Sequence, residues 1–217
     1  AHFITPELGH YRLVSRDYSD ERQFLLALYE RLAPLASSTL VIDNRFDPDL
    51  PQELWEPNDK VRSLIAAGSR LGSMNLLPAP FPLEKYLSTR DLRHLKLLYG
   101  IGGLSYGNLS VRQDSARFWM SASGVDKAKL REVGRDVLLV KGFDPESPAI
   151  LLSVPPHIEP RRVSVDAIEH YMIYREHPEV GAIIHVHAWM EGIPSTTVNY
   201  PCGTLELAQE VAELIRQ

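Results

Sequence analysis

The chain has 217 residues, of which 44% are hydrophobic and 24% charged, and its formal net charge is −5. This length and composition are typical of a protein with one substantial domain. The sequence has no apolar run near the roughly 18 to 20 residues of a membrane span and no cluster of basic residues suited to binding nucleic acid. The single cysteine, Cys202, excludes an intrachain disulfide framework and a zinc site built mainly from thiolates. Because the first residues carry no secretory signal, we expect the protein in a reducing cytoplasm, without membrane or nucleic-acid partners.

The first predicted element is an amphipathic helix from about Ser19 to Leu35, with Ser19-Asp20 as its opening residues. The stretch DNRFDPDLPQELWEPND follows, and its prolines and carboxylates predict a surface connection rather than part of a core. We place a domain boundary near Asn58. Residues 1–57 are then an N-terminal extension of unassigned role, and residues 58–217 form the main domain.

The main domain begins with helical periodicity over Asp59–Leu77, which PAPFP ends, and a second helix is predicted at about Ser88–Leu98. Alternating patterns then predict strands in GNLSVR, RFWMSASGV, DVLLVKGF and AILLSV. Ser164 is the predicted N-cap of a helix over DAIEHYMIYREH, AIIHVHAW is a further strand, and TLELAQEVAELIRQ is a last helix. Helices alternating with short strands predict an α/β protein with a mixed or antiparallel central sheet.

The most specific feature of the sequence is His185-Val186-His187 within AIIHVHAW. Residues two apart on a strand point to one face, so both imidazoles are expected to project together while Ile184 and Val186 face apolar packing. Imidazole nitrogens are common ligands of Zn²⁺. The alternative is that one histidine is hydrogen-bonded in the core and the other lies at the surface, and H-x-H alone does not decide between the two.

The order of several short motifs is a second observation in favour of a metal site at H-x-H. The motif order resembles that of the class II aldolase/adducin family: GNLSVR comes first, then SASGV, then S-x-D at a helix start, and then H-x-H on the next strand. This family includes fuculose-phosphate and rhamnulose-phosphate aldolases, epimerases and methylthioribulose-phosphate dehydratases. The resemblance covers roughly residues 58–217. It implies a three-layer α/β/α fold with a mostly antiparallel sheet and a homo-oligomer, commonly a tetramer. It leaves residues 1–57 and the insertion PAPFPLEKYLSTRDLRHLKLLYG unexplained.

The resemblance assigns a phosphate-binding role to five small or polar residues. They are Gly107, Asn108, Ser123, Gly124 and Ser164. Glycines let the backbone approach an anion closely, and hydroxyl, amide and backbone N–H groups are suitable donors, so these residue types agree with that role. The alternative for each is an ordinary turn residue. Arg112 could add charge or could be a solvated side chain.

Asp166 falls on the family's catalytic glutamate, 19 residues before His185. The resemblance therefore implies that Asp166, His185 and His187 bind Zn²⁺ or another divalent metal and that Asp166 acts as general acid and base. The alternative for Asp166 is a helix-dipole role at the start of its helix. Glu169 is a substitute for the catalytic carboxylate, and His170 matches a further family histidine.

Three departures from the family pattern bear on activity. Val165 stands where the family has a second phosphate-binding serine, and Asp166 is one methylene shorter than glutamate. The family's third metal-binding histidine lies after the last helix seen here, and we expect it beyond Gln217, so residues 58–217 would lack the C-terminal part of the domain. His157 is an alternative third ligand.

Taken together, these residues predict a metal-dependent lyase that cleaves a carbon–carbon bond in a small phosphorylated sugar or related hydroxy-carbonyl compound. A dehydratase or epimerase would use nearly the same residues, and an adducin-like interaction module would keep the fold without chemistry. A nucleotide-binding domain built on GIGGLSYGN is less favoured, because this run does not match G-x-G-x-x-G followed by a helix.

Overall fold

The computed structural model describes residues 2–5, 9–77, 87–98, 105–188 and 190–216. Within these ranges the helices are α1 (Glu21–Ser37), α2 (Asp59–Ser73), α3 (Thr89–Leu98), α4 (Ala167–Glu176) and α5 (Leu205–Leu214). The strands are β1 (His2–Thr5), β2 (Gly9–Arg12), β3 (Asp43–Asp47), β4 (Asn108–Arg112), β5 (Phe118–Ser121), β6 (Val137–Asp144), β7 (Ala149–Ser153) and β8 (Ala182–His185). None of the helices in the described ranges is long and apolar enough to cross a membrane.

A six-stranded sheet with the order β3-β7-β6-β5-β4-β8 forms the centre of the protein. Its strands pair antiparallel except for β3 and β7, which are parallel. The middle strands are apolar and fully buried, as Trp119 on β5 and Leu138 on β6 illustrate. Strands β1 and β2 form a separate antiparallel pair. The predicted α/β class with a central, mostly antiparallel sheet is confirmed.

The prediction for the proline-rich stretch before residue 58 was wrong at one point. Residues 43–47 form β3, an edge strand that pairs with β7, and Leu50 just after it is buried. The many polar residues hid this strand, because an edge strand needs apolar side chains on one face only and here Phe46 supplies that contact. The sheet therefore includes a strand from residues 1–57, and the separate role of these residues stays a prediction.

Side-chain caps fix the starts of three helices close to where the sequence predicted them. Asp20 accepts from the N–H of Gln23 at 2.9 Å, Asn58 from that of Val61 at 3.0 Å, and Thr204 from that of Leu207 at 3.3 Å. Each cap satisfies a backbone donor that the first helical turn leaves open.

The predicted N-cap of α4, Ser164, was wrong. The helix begins at Ala167 and its N-cap is Asp166, whose side chain makes no capping bond. Ser164 lies two residues upstream because its N–H donates to Ser121 O at 3.3 Å, beside an antiparallel bridge between Ala122 and Val163. This pairing holds Ser164 against the end of β5 rather than on the helix.

Strand β8 is shorter than predicted and ends at His185. The inference that Ile184 faces apolar packing was wrong, since its side chain is 54% exposed, whereas Val186 does pack against the core. β8 is the edge strand of the sheet, and its residues alternate between exposed and half-buried, so one of its faces is open in the described part of the chain. Helix α2 also ends early, at Ser73, and the PAPFP and GIGG segments lie outside the described residues.

Candidate functional site

The pairing of β4 with β8 creates the candidate site. In this antiparallel register Asn108 lies opposite His185, at the end of both strands. Gly107 precedes it with φ +76°, and a Cβ at this position would overlap the carbonyl oxygen of His185. Glycine is therefore required at 107 both for its backbone conformation and for the close approach of β8.

Asn108, Asp166 and His185 form a buried polar cluster. Asp166 Oδ2 lies 2.9 Å from His185 Nδ1, and Asn108 Nδ2 donates to the same carboxylate oxygen and lies 3.1 Å from that ring nitrogen. Asn108 is only 1% exposed, and its Oδ1 has no hydrogen-bond partner within the described ranges. A buried acceptor without a partner is rare in proteins, so the described residues leave the hydrogen bonding of this cluster incomplete.

His187 completes the cluster on the same side. Its ring centroid lies 4.9 Å from that of His185, at an interplanar angle of 32°, and 5.7 Å from the ring of Tyr106. The structure thus brings together the two imidazoles that the H-x-H spacing predicts on one face, although β8 ends between them. Binding of one ion by both rings stays a prediction.

The electrostatics of the cluster favour an ionised Asp166 carboxylate and a neutral His187 imidazole. Burial alone would raise the pKa of Asp166, but the hydrogen bond and positive charge of His185 outweigh it and lower that pKa. Burial, followed by the charge of His185, lowers the pKa of His187. Neutral imidazole is the form that binds a metal.

The donors of the cluster match a divalent metal in their chemistry. Two imidazoles and one carboxylate are typical protein ligands of Zn²⁺. No three His, Cys, Asp or Glu side chains within the described ranges are already arranged around a common point. Asp166 is directed at His185 Nδ1, and such a contact is typical of a carboxylate that orients a metal-binding imidazole and leaves its Nε2 for the ion.

The segments predicted to bind phosphate also lie beside one another. Ser123 N–H donates to Arg162 O at 2.8 Å, so the turn that holds Gly124, at φ +70°, runs next to the segment leading to Ser164. The Ser121 hydroxyl accepts from the N–H of Leu109, which ties this turn to β4. All five predicted residues therefore lie on adjoining segments, and their shared role in anion binding stays a prediction.

Glu169 lies behind Asp166, one turn along α4. Its Oε1 accepts from the N–H of Gly203 at 2.7 Å, while its buried Oε2 has no partner among the described residues. Burial, followed by the negative charge of Asp166, raises the pKa of Glu169 well above its usual value. Two neighbouring carboxyl groups are thus driven toward opposite protonation states.

A second buried network lies beneath the cluster and joins His170, which matches a family histidine, to Ser110 and Tyr174, which the sequence did not indicate. Ser110 Oγ is 2.6 Å from His170 Nδ1 and 2.8 Å from the Tyr174 hydroxyl. Burial lowers the pKa of His170 to about 3 and raises that of Tyr174 to about 12, so both are neutral. Ser110 is two residues from Asn108 on β4, and the two-residue period of a strand could have indicated that both face the same way.

Two other candidates have structural roles instead. Neither alternative given for Arg112 holds, because its guanidinium donates to the carbonyl oxygens of Val180, Tyr174 and His177. His157 packs edge-on against Trp55, with ring centroids 4.7 Å apart, and no described contact links it to the cluster.

A comparison with known families decides the identity of the fold. The profile of the class II aldolase and adducin N-terminal domain matches residues 92–216, which is more than half of the chain. The chain belongs to the class II aldolase and adducin family. All the residues of the candidate site, from Gly107 to His187, lie within the matched region.

Individual members of this family are similar over part of the chain. A methylthioribulose-1-phosphate dehydratase from Citrobacter koseri is 34% identical over 95 residues, which are 44% of this chain and 41% of that protein. The enzyme of the same name from Xanthomonas euvesicatoria is 32% identical over 132 residues, or 56% and 54% of the two chains. The chain thus spans about half the length of these relatives.

A solved structure of YgbL from Escherichia coli aligns with 70% of this chain and 70% of its own, at 18% identity and a TM-score of 0.40. This structural similarity is too low to support an argument about function.

Proposed function

We propose that the protein is a metal-dependent lyase that removes water from a small phosphorylated hydroxy-carbonyl sugar. The observation that carries the proposal is the cluster of Asp166, His185 and His187, in which a buried carboxylate lies 2.9 Å from one of two neighbouring imidazoles. Family membership and the dehydratases among the similar proteins support it. Dehydration therefore replaces carbon–carbon cleavage as the preferred reaction, and both reactions depend on polarisation of the substrate carbonyl.

His185 and His187 are the residues that would hold a divalent metal, Zn²⁺ being the first candidate, while Asp166 contacts His185 Nδ1 and its own binding to the metal stays a prediction. When bound there, the metal supplies polarisation of the substrate carbonyl. In this arrangement Asn108 fixes the carboxylate of Asp166 by donating to it, and Asp166 in turn orients the His185 ring.

Removal of water from a hydroxy-carbonyl compound needs a base for the proton next to the carbonyl and an acid for the departing hydroxyl. Asp166, with its lowered pKa, suits the base. Glu169 is buried behind Asp166 and keeps its proton to higher pH than an ordinary glutamate, so it is a neutral neighbour of the ionised Asp166. The acid for the departing hydroxyl would be Asp166 itself, which holds the abstracted proton.

The proposal is tested by incubating metal-supplemented full-length protein with methylthioribulose 1-phosphate and identifying products by mass spectrometry. A product lighter by one water is expected, and Asp166→Asn should slow its formation by about 10² or more, as loss of a positioned acid or base does. Glu146→Gln, at an exposed carboxylate, is the control and should leave the rate unchanged. If two smaller carbonyl compounds form instead of the dehydrated product, the reaction is retro-aldol cleavage and the dehydratase proposal is wrong.

An adducin-like interaction module is the second candidate. The lack of an assembled three-donor cluster in the described residues favours it, as does the exposed Val165 in place of a phosphate-binding serine. Such a module would show neither turnover nor a stoichiometric metal. The homo-oligomeric state expected from the family stays a prediction, which light scattering on the full-length protein would test.

A further inference from the structure

Lys127 is a buried cation at the end of the turn that follows Gly124. It is 5% exposed, its Nζ donates to Ser105 O at 2.8 Å, and its N–H donates to Ser105 Oγ at 3.1 Å. No carboxylate of the described residues forms an ion pair with its ammonium, whereas the exposed Lys129 pairs with Asp126 at 3.2 Å. A buried ammonium without a paired anion is costly, so its retention needs an explanation.

The position of Lys127 connects it to the candidate site. Ser105, which Lys127 holds by two hydrogen bonds, is followed by Tyr106 beside His187 and then by Gly107 and Asn108. Burial lowers the pKa of Lys127 to about 8, against the opposing charges of Asp166 and Asp126. The ammonium also contributes to the lowered pKa of His187. The charge of Lys127 therefore acts on the cluster.

Helix α2 fixes the backbone that carries this lysine. A Cβ at Gly68 would overlap the carbonyl oxygen of Lys127, and one at Gly72 would lie 2.6 Å from Ala128 Cβ. Two glycines one turn apart thus let α2 lie directly against residues 127–129. Such close packing fixes the backbone from which the lysine side chain extends, and the bond from Nζ to Ser105 O holds its ammonium.

The other candidate anion ligands are either neutral or have guanidinium groups that already donate to backbone carbonyl oxygens. The five residues of the predicted phosphate pocket are neutral, Arg112 is bound to three carbonyl oxygens, and the Arg162 guanidinium donates to Ile42 O. A phosphate monoester next to the carboxylate of Asp166 would meet like charge, and a cation on the phosphate side of the site would offset that repulsion. Lys127 is placed to do so.

We propose that the Lys127 ammonium binds the phosphate group of the substrate and so determines specificity for phosphorylated compounds. This rests on the proposed function in taking the substrate to be a phosphate monoester. Two of the three ammonium N–H groups remain for the anion after the bond to Ser105 O.

The test compares binding of inorganic phosphate by calorimetry in the full-length parent, Lys127→Met and the control Lys129→Met. Loss of a hydrogen bond to a charged group lowers affinity by about ten- to a hundredfold, which is the decrease expected for Lys127→Met, while Lys129→Met should match the parent. Equal phosphate affinity in the parent and folded Lys127→Met, or no measurable binding to the parent, would overturn the proposal. These outcomes are independent of which bond the enzyme breaks, so they are distinct from failure of the dehydratase assay.

A second measurement needs no variant and covers the case in which Lys127→Met does not fold. Sulfate does not titrate near neutral pH, so its affinity for the parent reports the charge of the protein. It should fall at least several-fold as pH rises from 7 to 9.5, because Lys127 then loses its proton. A constant sulfate affinity over this range would contradict a role for the ammonium in anion binding.

Discussion

The buried state of His170 predicts a specific weakening of the protein in mild acid. His170 is 3% exposed, and burial lowers its pKa from 6.5 to about 3. Between pH 6.5 and about pH 3, the histidine is therefore protonated in the unfolded chain and neutral in the folded protein. Above pH 6.5 His170 is neutral in both states and does not lower the free energy of unfolding. Below pH 6.5 this free energy should fall by up to about 1.4 kcal/mol for each pH unit.

The variant His170→Asn removes the titrating group while keeping an acceptor near the position of Nδ1, 2.6 Å from Ser110 Oγ. Urea unfolding of parent and variant at pH 7.5, 6.0, 5.0 and 4.5 measures the effect. The parent should lose roughly 2 to 3 kcal/mol more than the variant between pH 6.5 and 4.5. This window lies above the titration of Asp166, whose pKa is lowered and whose contribution is lost only in stronger acid.

His157→Asn replaces an exposed histidine and is the matched control, which should keep the parent's dependence on pH. If the parent and His170→Asn lose stability in parallel over the whole window, His170 is not held neutral by burial. The account of the network beneath the site would then be refuted.

Three further outcomes follow from the packing and charges described above. Gly68→Ala should destabilise the protein by about 1–3 kcal/mol in urea unfolding, because the new Cβ would overlap the Lys127 carbonyl oxygen and this outweighs the higher helix propensity of alanine. The control Ser69→Ala, at an exposed position of the same helix, should be neutral or slightly stabilising. The opposite ranking of the two variants would contradict the packing of α2 against Lys127. The folded parent binds the Glu169 proton more tightly than the unfolded chain, so the parent should lose stability as pH rises from about 4.5 toward the raised pKa of Glu169. Glu169→Gln keeps the acceptor for the Gly203 N–H and should not show this loss. Thermal melts of both proteins at pH 5 and pH 8 measure the effect, and an equal pH dependence of the two would reject it. Val165→Ser should raise phosphate affinity by about tenfold in calorimetry if the pocket lacks one hydroxyl donor, and unchanged affinity would count against phosphate binding there.

The elements that follow from local chemistry could be predicted from the sequence. Short apolar runs marked β5 and β6, and Ser19-Asp20 marked the start of α1. β3 could not be recognised, because its pairing with β7 joins segments about a hundred residues apart and its polar residues resemble a loop. Ser164 has the side chain of an N-cap, yet a tertiary bond to Ser121 O decides its position instead.

The candidate site was predictable to a similar degree. The H-x-H spacing indicated that His185 and His187 share a side, and motif order indicated Asp166. The spacing could not indicate that Asn108 binds Asp166, since the register between β4 and β8 brings them together. Lys127 was missed because nothing in its sequence neighbourhood shows that α2 covers it.

The most direct test of the central claim is the metal content of purified full-length protein measured by elemental analysis. The account predicts about one Zn²⁺ or similar divalent ion per chain, lost in both His185→Ala and His187→Ala and retained in the control His157→Ala. Unchanged metal content in the two site variants, or a parent that purifies without metal and takes none up, would contradict a metal centre at this cluster.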